Sequence, residues 1–110
     1  MTFSMDMIEY EGFVDGWRKY PSPGSFGGLQ YTMLAMCGEA GEAANVLKKT
    51  IRDNDSKLTA EERQKLIYEL GDVLWYVTAA ARELNSSLSE VAQDNITKLI
   101  MRKQEGKPVG

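Results

Sequence analysis

Apolar residues in this chain recur at intervals of three and four along four stretches, and no stretch alternates apolar with polar over a strand's length. That periodicity admits helices and little else, because a helix returns to the same side every 3.6 residues and a strand every second one. The first helix is expected over residues 5–20, with Ser4 as its N-cap and Met7, Tyr10, Val14 and Trp17 on one side. Pro21, Pro23, Gly24, Gly27 and Gly28 then make a loop that no helix crosses. A second helix is expected over 29–52, its apolar stripe formed by Met33, Met36, Cys37, Ala40, Ala44, Leu47 and Ile51.

The polar run Asp53, Asn54, Asp55 and Ser56 reads as a turn. Thr59 followed by Glu62 is a capping box that opens a third helix reaching Leu84, with Leu66, Leu70, Val73, Val77, Ala81 and Leu84 as its core side. Ser87 with Glu90 reads as another capping box, opening a last helix that runs to Lys103. The expected architecture is an all-α, four-helix bundle-type subunit, one domain over residues 1–110, with short connections between its last three helices.

Several chemistries are excluded by composition. The 110 residues contain no histidine and one cysteine, so Ser-His-Asp and Cys-His catalysis, zinc held by histidine or by a cysteine set, and a disulfide framework are all ruled out within one chain. Cys37, in an apolar helical stretch, is read as a small core residue. Thirteen basic residues against sixteen acidic ones give a net charge of -3, which argues against a binder of nucleic-acid polymers. No apolar run is long enough for a membrane span, and the first seven residues do not read as a signal peptide, so a cytoplasmic protein is expected. Any active site must be built from carboxylates, lysine, arginine, tyrosine and amides.

Two tetrapeptides supply such a set: Glu39-Ala40-Gly41-Glu42 on the second helix and Glu69-Leu70-Gly71-Asp72 on the third. Acids three apart on a helix share a side, and antiparallel neighbours can bring two such pairs together. A single Glu-x-x-Glu is ordinarily a solvated face. Two pairs on successive helices are a stronger signal. Each has a glycine directly before its second acid, and Gly38, Gly41 and Gly71 each sacrifice about 1 kcal/mol of helix stability. The expected reason is close backbone approach around a shared ion. Clustered carboxylates repel one another unless cations intervene, and an all-oxygen set favours Mg²⁺, Mn²⁺ or Ca²⁺ over zinc or copper.

Basic and polar groups suited to phosphate are Asn95, Lys98 and Arg102, on one stripe of the last helix, and Lys49 beyond Glu42. Of the aromatic residues, Tyr76 lies on the carboxylate stripe and is expected at the site; Trp17 is expected in the core and Trp75 at a subunit interface.

At these residues the chain resembles the MazG-like all-α nucleoside triphosphate pyrophosphohydrolases. Glu39-Ala40-Gly41-Glu42 and Glu69-Leu70-Gly71-Asp72 are similar to that family's Glu-x-x-Glu and Glu-x-x-Asp signature, and Asn95-Ile96-Thr97-Lys98-Leu99 to its third motif, in order over residues 29–103. The resemblance implies Mg²⁺, with Mn²⁺ as a substitute, held by Glu39, Glu42, Glu69 and Asp72, and phosphate contacts from Asn95 and Lys98. It implies a homodimer or dimer of dimers, and water attack at the α-phosphorus that leaves a nucleoside monophosphate and pyrophosphate. Some relatives carry a further glutamate just before the first motif, where this chain has Gly38. A helical module that binds nucleotide or metal without turnover is the alternative reading.

Overall fold

The computed structural model describes residues 4–110, and the first three residues, which form part of the stretch weighed above as a leader, lie outside the described range. Its elements are α1 (Met7–Gly16), α2 (Phe26–Asp53), α3 (Ala60–Glu83) and α4 (Leu88–Gln104), with no strand among the described residues. The all-α, four-helix expectation holds. No helix among the described residues is long and apolar enough to cross a membrane.

The caps explain most boundaries. Thr59 and Glu62 form the reciprocal box. At Ser87 only the forward arm is present, Glu90 N–H donating to Ser87 Oγ at 3.0 Å. The buried Glu11 carboxylate adds a second acceptor there, taking the Leu88 N–H at 2.6 Å. Helix α1 is capped by Asp6 rather than Ser4, because Asp6 has Glu9 three residues on to complete a box, and its carboxylate also suits a helix N-terminus. The same helix stops at Gly16 rather than Tyr20: glycine weakens it, and Tyr20 precedes a proline, which disfavours helical backbone. Helix α2 instead starts three residues earlier than expected, absorbing Gly27 and Gly28 into its first turn.

Helices α2 and α3 form an antiparallel hairpin that carries most of the packing. Buried and half-buried positions mark its seam: Leu29, Thr32, Met36, Glu39, Ala43, Val46 and Thr50 on α2, and Glu62, Leu66, Glu69, Val73, Tyr76, Ala80 and Glu83 on α3. The alternating spacing of three and four is that of a coiled-coil seam. A hydrogen bond from Thr50 Oγ1 to Glu62 fastens one end. Buried Thr32 and Thr78 satisfy their hydroxyls by donating to the carbonyl four residues back, at 3.0 and 2.8 Å.

This seam corrects the expected core face. Met33, Cys37, Ala40, Ala44, Leu47 and Ile51 are exposed in the single chain, as are Leu70 and Leu84 on α3. Each of these α2 residues directly follows a seam residue, and so do Ile67, Leu70, Leu74 and Leu84 on α3. A one-residue step rotates a side chain by ~100°, and on antiparallel helices that rotation sends both stripes to the same side of the hairpin. One side of the hairpin is therefore a continuous apolar strip.

Helix α1 packs elsewhere, through Val14 against Ala79, with Tyr20 in the same small core and Tyr10 and Trp75 at its margin. Trp17, which follows the last helical turn, loses the register of Met7, Tyr10 and Val14 and stands 69 % exposed. Helix α4 touches α1 and α3 but not α2. The radius of gyration is 16.6 Å, against about 13 Å for a compact chain of this length. The accessible surface of 8158 Å² exceeds by roughly 2,000 Å² what a compact monomer of this mass shows.

Candidate active site

The hairpin seam passes through two acids. Glu39 from α2 and Glu69 from α3 occupy positions where an apolar residue would ordinarily sit, and Asp72 stands one turn along α3 from Glu69. One carboxylate oxygen from each of the three lies within 4.8 Å of the others. Among the described residues, no lysine or arginine forms an ion pair with any of them, nor with Glu42. Glu69 Oε2 is buried and has no hydrogen-bond partner. Burial raises the Glu39 carboxyl above its ordinary value, reinforced by the adjoining Glu69 carboxyl and by the charges of Asp72, Glu69 and Glu42.

These features fit a hard divalent cation. The donors are all carboxylate oxygens, they come from two rigid helices, and no basic side chain among the described residues pairs with them. Glu42, exposed one turn beyond Glu39, contributes to the field at Glu39 but stands outside the close trio.

A cavity of about 300 Å³ opens beside the acids, lined by Glu39, Asp72, Trp75 and Tyr76. The Trp75 and Tyr76 rings meet edge to face at 5.0 Å and 78°. Trp75 is met in turn by Tyr20 at 6.3 Å and 89°, and Tyr20 stacks on Tyr31 at 5.9 Å and 5°. Burial raises the Tyr76 hydroxyl, with further contributions from Tyr31 and from the charges of Glu39 and Asp72. Burial and the Asp72 charge likewise raise Tyr10.

Of the residues named from sequence, the structure brings together Glu39, Glu69, Asp72 and Tyr76, with Glu42 on the rim. Trp75, expected at a subunit interface, packs within the chain between the small core and the cavity. Lys49 is exposed and does not line the cavity. Asn95, Lys98 and Arg102 border two separate grooves along α4, and α4 has no contact with α2. Within one chain these groups are not part of the acidic site.

The close-approach role expected of the glycines is not seen either: a Cβ added at Gly38, Gly41 or Gly71 meets no atom within 4 Å.

Sequence reasoning missed Tyr20 and Tyr31. Tyr31 carried a usable signal, since Tyr31, Gly38 and Glu42 each directly precede an α2 seam residue, as Asp72 and Trp75 do on α3. These positions share the cavity side of the hairpin. Tyr20 carried none, because a loop closure brings it there.

A family model for the MazG nucleotide pyrophosphohydrolase domain matches residues 28–106. The chain belongs to the MazG family. That match spans α2, α3, α4 and every carboxylate of the site. The MazG domain is also similar to the gene 37 protein of Mycobacterium phage L5, with 48 % identity over 90 residues, 79 % of each chain. No solved structure matches it.

Proposed function

We infer that this MazG domain hydrolyses nucleoside triphosphates, ribo or deoxy, to the monophosphate and pyrophosphate in the presence of Mg²⁺, with Mn²⁺ able to replace it. The observation that carries this reading is the trio Glu39, Glu69 and Asp72, unpaired with any lysine or arginine among the described residues and containing a buried oxygen without a partner. Those three side chains, with Glu42 on the rim, are the groups that would hold the ion. A divalent ion bound there supplies charge neutralisation and Lewis-acid stabilisation of the phosphoryl oxygens.

The chain's own groups do the rest. The α2–α3 seam fixes Glu39 and Glu69 on rigid helices, which orients the triphosphate relative to the attacking water. Glu42, open to solvent and outside the close trio, is proposed to accept that water's proton. Trp75 and Tyr76 present an aromatic wall within the same cavity, suited to stacking a nucleobase.

The remaining phosphate oxygens call for basic and hydrogen-bond-donating side chains. Lys49, Asn95, Lys98 and Arg102 are proposed for that role, the three on α4 acting on substrate held by a second copy in a homodimer or dimer of dimers. The excess surface of roughly 2,000 Å² per chain and the uncovered apolar strip support such an assembly, since obligate interfaces bury about 2,000–5,000 Å² in total. The proposed setting is the free nucleotide pool of the cytoplasm, with neither a nucleic-acid polymer nor a membrane as partner.

Product analysis on the standard NTPs and dNTPs, with Mg²⁺ and with chelator, tests the reading. Mg²⁺-dependent release of pyrophosphate with monophosphate is expected. Release of inorganic phosphate with diphosphate would overturn it. Nucleotide binding without any product would favour a regulatory module instead.

A further inference from the structure

Glu83 ends α3 at the last position of the hairpin seam, and its side chain is 0 % exposed. One carboxylate gathers donors from a segment about sixty residues earlier. Arg18 Nη2 donates to Oε1 at 2.7 Å, the Tyr20 hydroxyl to Oε1 at 2.7 Å, and Gly24 N–H to both oxygens at 2.9 Å. Arg18 Nε closes the ring by donating to the Tyr20 oxygen at 2.9 Å. The segment between α1 and α2 has no regular structure, and Ser22 and Gly24 sit at φ 58° and 81°. It presses close to α2, where a Cβ on Gly28 would lie 2.6 Å from the Ser22 carbonyl oxygen and 2.9 Å from Glu83 Oε1.

A buried ion pair is a poor source of stability, because desolvation takes back most of the Coulomb gain. What this one provides is direction. It fixes the Tyr20 ring flat against Tyr31 and edge-on to Trp75, and Trp75 in turn meets Tyr76. Without that brace the indole of Trp75 has a free side and can turn into the cavity it lines with Glu39 and Asp72. The acids themselves are held by the seam, Asp72 and Glu69 lying roughly 16 and 21 Å along α3 from Glu83.

We propose that Glu83, acting through Arg18 and Tyr20, is the positioning residue for the nucleobase wall and governs how tightly the base end of the substrate is held. This rests on the pyrophosphohydrolase reading above. Its consequence is an asymmetry: disturbing the clamp weakens recognition of the nucleoside while leaving the phosphate and metal end untouched.

The test compares wild type with Tyr20→Phe, which keeps the ring and removes the hydroxyl, and with Glu83→Gln, which keeps an acceptor and removes the charge. Three quantities are read: KM and kcat for the preferred nucleoside triphosphate, the inhibition constant of inorganic tripolyphosphate, and the Mg²⁺ dependence of the melting temperature. In Tyr20→Phe the KM should rise about fivefold to tenfold, the scale of one hydrogen bond, with kcat, tripolyphosphate inhibition and Mg²⁺ response unchanged. Glu83→Gln should move the same way and further. Trp75 emission, isolated in a Trp17→Phe background, should shift to longer wavelength in both variants.

A parallel loss for nucleotide and tripolyphosphate would overturn the proposal, because it marks general unfolding of the site. So would an unchanged KM with unchanged Trp75 emission. A wild-type protein that releases pyrophosphate from no nucleotide would instead remove the functional reading, and this inference with it.

Discussion

Glu69→Gln should make the metal-free protein more stable and the protein in Mg²⁺ less responsive, a pair of effects with opposite signs. Glu69 sits in the hairpin seam with one buried oxygen unpartnered, and carboxylate oxygens of Glu39 and Asp72 lie within 4.8 Å. Two unit charges at that separation repel by roughly 3.5 kcal/mol at an effective dielectric constant near 20. Water around exposed Asp72 screens part of this. The amide removes one charge and can donate to Glu39. A net gain of about 1–3 kcal/mol is therefore expected, the range for relieving an unsatisfied buried polar group.

For a domain of this size each kcal/mol moves Tm by roughly 4–8 °C. Wild type should recover the deficit with the ion, since a ligand at a hundred times its Kd adds about 2.7 kcal/mol. The variant should gain little of that. Thermal unfolding followed by circular dichroism, in chelator and in saturating Mg²⁺, reads all four values. A Glu69→Gln protein that is less stable in chelator, or that gains as much from Mg²⁺ as wild type, would refute the reasoning.

Three further outcomes follow from other parts of the structure. Burial works to raise the Glu83 carboxyl, but bonds from Gly24, Tyr20 and Arg18 outweigh it and leave the group below its ordinary value of 4.5. Its stabilising contribution is therefore complete above that pH and fades as pH falls through the folded value, so Glu83→Gln should flatten the acid side of a Tm-against-pH curve. Gly41→Ala and Gly71→Ala should each raise stability by about 1 kcal/mol, because no atom lies within 4 Å of the added methyl; a fall in Tm would show that a second copy packs there. Leu70→Glu, at a position 62 % exposed on the apolar strip, should convert the proposed assembly to monomer by sedimentation velocity, and an unchanged sedimentation coefficient would place the interface elsewhere.

The sequence alone determined what depends on neighbours along the chain. Helix number, the Thr59–Glu62 box, the break at Pro21–Gly24 and the carboxylate chemistry forced by a chain without histidine were all legible, because propensity, capping and composition act locally. The pairing of Glu39 with Glu69 and Asp72 was also legible, since spacing of three on two successive helices leaves few other arrangements.

Only the tertiary structure decided which side of α2 and α3 became the seam. Helix α2 carries two adjacent stripes with the same period, one through Met36, Glu39, Ala43 and Val46, the other through Met33, Cys37, Leu47 and Ile51. Hydrophobicity favours the second, yet the first faces α3 and the second is left uncovered in the single chain. Periodicity measures how often a helix turns an apolar side outward; it carries no information on which of two partners, another helix of the chain or another chain, will cover it. The same limit hid the Glu83 clamp and the place of Tyr20, whose contacts span some sixty residues. No local rule reaches that far, because the energy that fixes them appears only once the chain has closed on itself.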